Sequence, residues 1–241
     1  MTKLWMVDRP RVTPSPEGQA SMVSTRMVGL VLAMATGWNV VGSIMAGPAS
    51  GDALSTHDCF TNDATLRIRG CTELLTRGGL DPTTQSTALA NRALGLSIIG
   101  RYSEAIRDYD AALAIVPDYP VALNNRAWAL FRLGRIEEAE PDVEKSLRLD
   151  SSSGHAYDTR AHVRQWQGRT KEAMTDYRRA MRFGGSRMVK LYQCGLQAQG
   201  LYLGAVTGVI TEQFELALKQ CVETAKCDPL PPDEECKVAM S

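Results

Sequence analysis

The sequence repeats itself every 34 residues, and that period restricts the fold more than any other feature. Asn91-Arg92-Ala93 returns as Asn125-Arg126-Ala127 and as Thr159-Arg160-Ala161. Gly100-Arg101 returns as Gly134-Arg135 and Gly168-Arg169, while Ala105 and Asp108 return as Ala139 and Asp142, then as Ala173 and Asp176. No insertion breaks the register. A unit of this length is one supersecondary element, too small to bury its own apolar face, so successive units must stack on one another.

Each unit reads as a helical hairpin. Leu89, Ala93, Leu96 and Ile99 fall on one helical face, Gly100 ends that helix, and Ala105, Ile106, Tyr109, Ala112 and Leu113 line the next. Pro117 stops the second helix, and its place is taken by Ser151 and Gly185 in the later units. Over residues 86–185 the pattern resembles the tetratricopeptide repeat family. The resemblance implies an all-α solenoid of three helical hairpins whose first helices line a peptide-binding groove. Asn91, Asn125, Trp128, His155, Asp158 and His162 would line it, with Phe131 and Gln165 nearby. The lysines with which family members clamp a terminal carboxylate are absent, Ala90, Asn124 and His155 standing there instead.

One period before Ala93 and Ala105 stand Cys59 and Cys71. By the resemblance, these are the places where the two helices of a repeat touch most closely. Residues 52–85 are therefore expected to hold a degenerate half-repeat stapled by Cys59–Cys71, which compensates for a terminal unit with a neighbour on one side only.

Residues 1–51 divide into a polar, Pro-rich tail and an apolar run after Arg26 that ends in small residues, Ala46-Gly47-Pro48-Ala49. This is the pattern of a secretory signal around 26–49, and an uncleaved membrane anchor is the alternative. Either delivers the rest of the chain across a membrane, so a periplasmic or exported location is expected. The six cysteines, none in a CxxC, then read as three disulfides. With 27 basic against 27 acidic residues, no basic surface for nucleic acid is expected, and membrane contact is expected only through the N-terminal segment.

Residues 186–241 contain Leu196-x3-Gly200-Leu201-Tyr202-x-Gly204-x3-Gly208 ahead of a helix with Phe214, Ala217 and Leu218. This resembles the small peptidoglycan-binding module, with Thr207, Thr211 and Phe214 departing from it. The tail is thus either a helical cap on the last repeat or a glycan-binding module. Proximity in sequence pairs Cys194 with Cys221 and Cys227 with Cys236 around a Pro-rich loop.

The sequence contains no HExxH, GxSxG, Walker A or GxGxxG, so no catalytic residues, cofactor or metal are expected. His155, Asp158 and His162 form a weak candidate cluster, and a polar stripe facing the groove is the simpler account of them. The expected function is a non-catalytic scaffold that binds a protein or peptide partner, with a cell-wall adaptor as the alternative.

Overall fold

The computed structural model describes residues 57–224 and 227–230, and among these there are helices and no strands. The expected leader around 26–49 lies outside the described residues. No described helix is long and apolar enough to cross a membrane.

A single turn at 57–59 precedes α1 (Ala64–Arg77), and three hairpins follow: α2 (Pro82–Ile98) with α3 (Tyr102–Ile115), α4 (Pro120–Arg132) with α5 (Ile136–Leu149), and α6 (Gly154–Trp166) with the first half of α7 (Thr170–Ala198). Gly185 breaks α7 with φ 64° and ψ −158°, and the stretch after the break packs with α8 (Glu212–Val222). The helix starts are written locally. Asp63, Asp81, Ser153 and Thr211 accept hydrogen bonds from backbone N–H groups of the first turn, and Pro82 and Pro120 occupy starts where a missing N–H costs nothing.

Within each hairpin the turn is a repeated device. Gly100, Gly134 and Gly168 adopt φ between 75° and 77°, a left-handed conformation that ends the first helix. The arginine that follows makes a bidentate pair with a glutamate three residues on: Arg101 with Glu104, Arg135 with Glu138, and Arg169 with Glu172. That glutamate sits in the first turn of the second helix, where negative charge is favourable.

A second periodic device locks the units together. Arg92, Arg126 and Arg160 each grip, with both arms of the guanidinium, an aspartate of their own hairpin: Asp108, Asp142 and Asp176. Arg126 also reaches back to Asp110, and Arg160 to Glu144, each in the preceding hairpin. One planar fork thereby fixes both the angle within a hairpin and the stagger between hairpins.

The two ends are closed differently. At the front, Cys59 and Cys71 are joined, fully buried, and packed with Leu74 and Ala88. At the back, Tyr177, Ala180 and Met181 of the third hairpin share one core with Tyr192, Leu196, Tyr202, Phe214 and Leu218 of the tail. The buried Gln193 braces the intervening loop: its side chain accepts from Gly208 N and donates to Val209 O, both at 2.8 Å. Here the tail disulfide differs from the expected pairing. Cys221 is bonded to Cys227, six residues on, and not to Cys194. The reason is geometric: α8 ends at Val222, and the chain turns back at once, bringing Cys227 to a Cα–Cα distance of 5.1 Å. Cys227 is therefore not available to Cys236, which lies outside the described residues. Cys194 is itself disulfide-bonded.

Candidate functional site

The first helices α2, α4 and α6 contact one another in succession and form one face of the stack. Its centre is aromatic. Trp128 on α4, half-buried, stacks on Phe131 at 5.5 Å between ring centroids and meets the edge of His162 on α6 at 5.3 Å. The Arg132 guanidinium lies over Trp128 at 5.5 Å and over Tyr102 at 5.2 Å, and Trp166 beyond Phe131 is 65% exposed. A flat aromatic surface beside a cation suits an apolar or acidic side chain.

Next to it, between the first and second hairpins, lies a polar patch. Asn91 and Asn125 are half-buried, at equivalent places one period apart, and Asn91 donates to Thr87 O. The Tyr109 hydroxyl is buried with the Ser97 and Asn125 side chains beside it, and Asn124 donates to Asn125 Oδ1 at 3.3 Å. Burial pushes the Tyr109 phenol well above its ordinary pKa, so it is a hydrogen-bond donor at any physiological pH.

The third hairpin is different, because the chain's own tail lies on it. His162 is 3% exposed; its Nδ1 is 2.8 Å from Asp158 O and its Nε2 is 2.9 Å from Asp228 Oδ1. Asp158 is buried and accepts from Tyr192 Oη at 2.5 Å. Burial opposes charge on the His162 ring, but Asp158 and Asp228 outweigh it and raise the pKa to about 9. Burial likewise pushes the Asp228 carboxyl up, and the hydrogen bond and charge of His162 bring it below its usual value. Asp158 ends above its usual value because its burial prevails. Gln165 donates to the main-chain oxygens of Cys221 (3.3 Å) and Cys227 (2.8 Å) and accepts from Tyr177 Oη.

Residues 98–139 match the family described as TPR repeat. The hairpins are tetratricopeptide repeats. Solved structures similar to the chain include the first TPR domain of human RPAP3, with 31% identity, covering 42% of this chain and 80% of that one at a TM-score of 0.40. The first TPR of Spaghetti (RPAP3), solved with the HSP90 peptide SRMEEVD, has the same identity, coverage and TM-score. MamA has 22% identity, 72% and 96% coverage, and a TM-score of 0.48. No curated protein matches the sequence.

Six residues were expected to line the repeat groove. Asn91, Asn125 and Trp128 lie together on the part formed by the first two tetratricopeptide repeats, and His155 is exposed at the start of α6. Asp158 and His162 are a correction: they are buried polar groups, one held by Tyr192 and the other by Asp228, so neither presents an open surface. No group of three or more His, Cys, Asp or Glu among the described residues is placed to hold a metal. Tyr202, the residue of the turn that resembles the peptidoglycan-binding module, is 3% exposed and packs edge-on against Phe214. That turn seals the third repeat from within. Sequence reasoning missed Asp228, Tyr192 and Gln199. The one available signal was the recurrence of Tyr109 as Tyr177 one repeat-pair later, opposite Ser97 and Gln165 respectively.

Proposed function

We propose that the protein is a non-catalytic interaction scaffold that holds an extended segment of a partner on the face formed by α2 and α4. The carrying observation is the polar patch at the junction of the first two repeats. Asn91 and Asn125 are half-buried at equivalent places one period apart, and Asn125 stands beside the buried Tyr109 hydroxyl. A half-buried side-chain amide offers both a donor and an acceptor to the main chain of an extended partner segment. Trp128, immediately alongside, offers the apolar anchor. The third repeat shows an amide in this use: at the places of Tyr109 and Ser97 stand Tyr177 and Gln165, and Gln165, oriented by Tyr177, donates to main-chain oxygens of the tail.

An exported location is part of the proposal, supported by the buried Cys59–Cys71 and the Cys221–Cys227 disulfides, which persist in oxidising compartments. The test uses the oxidised full chain. Peptides selected on it from a random library should lose about tenfold or more in affinity on Trp128→Ala, and similarly on Asn125→Ala, with unchanged helical circular dichroism. Selected peptides indifferent to both substitutions would refute the assignment.

A further inference from the structure

The tail segment on the third repeat is bound as a ligand is bound. Cys227–Leu230 lies against α6 and α7, bent where Leu230 N donates to Asp228 Oδ1 at 2.9 Å, and each residue is read by a different group. The oxygen of Cys227 accepts from Gln165, and that of Asp228 accepts from Gln199. The Asp228 carboxylate meets His162 Nε2 at 2.9 Å, while Pro229 is completely buried and Leu230 packs against the core shared by Tyr177 and Tyr192. Side-chain amides on main-chain oxygens, a charge-paired carboxylate and two apolar contacts are what a receptor for a short peptide requires.

A mere covering segment has no need of such a set. His162 is buried between Asp158, Tyr177, Trp128 and Phe131, and the carboxylate that meets its Nε2, that of Asp228, comes from outside the repeats. Gln165 is oriented by Tyr177 before it touches the tail. The receptor is thus assembled from the repeats and the second half of α7, and the segment supplies only the complement.

We propose that Cys227–Leu230 is a built-in ligand of this end of the groove, and that a partner segment carrying a carboxylate followed within two residues by an apolar side chain takes its place. The inference rests on the groove reading above and adds to it the chemistry of the ligand and a self-occupied state. The Cys221–Cys227 disulfide holds the segment beside its receptor, and a short tether of this kind gives an effective concentration in the millimolar range. Only a partner that also engages the open face at Trp128 and Asn125 would outcompete it.

The experiment uses the full oxidised chain and a labelled, acetylated and amidated peptide of sequence Asp-Pro-Leu-Pro-Pro, followed by fluorescence anisotropy and by the NMR signals of the His162 ring. A triple variant, Asp228→Ala with Pro229→Gly and Leu230→Ser, empties the receptor. It should bind the peptide about tenfold or more tightly than the wild type does, and the peptide should return the His162 signals towards their wild-type positions. Replacing the peptide's Asp by Asn should weaken binding about tenfold, the loss of one charge-assisted hydrogen bond. Should the triple variant fold poorly, Asp228→Ala with Pro229→Gly, which keeps the Leu230 contact, should still bind the peptide more tightly than the wild type and show the dependence on its Asp. A folded variant that binds no better than wild type, or that binds the Asp and Asn peptides equally, would overturn the inference and leave the segment a structural staple. Asn125→Ala separates the two readings, since Asn125 belongs to the open face and to none of the groups that hold Cys227–Leu230: binding of this short peptide should survive the substitution while that of library-selected peptides falls.

Discussion

Raising the pH from 6.5 to 9.5 should loosen the third repeat, and His162 sets the size of the effect. The ring is buried against Asp158 on its own helix, Tyr177 on α7 and Asp228 from the tail, with Tyr192 and His155 acting on Asp158 and Arg132 on Asp228. It holds its proton to about pH 9 when folded, against 6.5 when unfolded. A base whose pKa is raised on folding contributes its stabilisation fully below the unfolded value and loses it as pH rises through the folded one. The displacement corresponds to about 3 kcal/mol at ~1.4 kcal/mol per tenfold change in proton affinity. Tyr177 and Tyr192 are both held well above 10 by their burial, so they do not release protons in the folded chain across this window. Urea unfolding followed at several pH values should show stability falling by roughly that amount between pH 6.5 and 9.5. Because the chain has three histidines, the ring signals are few enough to assign and titrate directly. Asp228→Asn removes one of the two carboxylates and should lower the His162 midpoint by about one pH unit or more. A wild-type midpoint at or below 6.5 would show that burial prevails over both carboxylates, and the reasoning would fail.

Three further outcomes are expected. Replacing Cys59 and Cys71 with Ser opens a short loop at the end of the stack and should cost about 3 kcal/mol by chain entropy, read from urea midpoints; a loss below about 1 kcal/mol would count against the staple. Gly154→Ala places a Cβ 2.7 Å from Gly184 N and 3.0 Å from Ala180 O, where rigid backbone must move, so it should cost about 1–3 kcal/mol and lower the melting temperature by several degrees. A non-reducing peptide map should show Cys221 linked to Cys227; recovery of Cys194 linked to Cys221 would contradict the tail geometry.

The sequence by itself determined the hairpins, their number in the gapless region and their mode of stacking. These depend on interactions a few residues apart or about half a period apart: Gly100 and its successors end a helix, Arg101 finds Glu104, and Arg126 finds Asp142. Repetition makes such contacts visible, because each is written three times. Which part of the groove is open was decided only in the tertiary structure. Asp158 and His162 occupy the same helical register as Asn124 and Trp128, and nothing local distinguishes the two pairs. What distinguishes them is Asp228, 66 residues beyond His162, and Tyr192 on the far side of the break at Gly185. The tail cysteines teach the same lesson, since Cys221 pairs with Cys227 through a reversal just past α8 that no repeat records. A contact made once, between segments far apart in the chain, leaves no periodic trace; it exists only when the core that packs Tyr177, Tyr192 and Phe214 has brought those segments together.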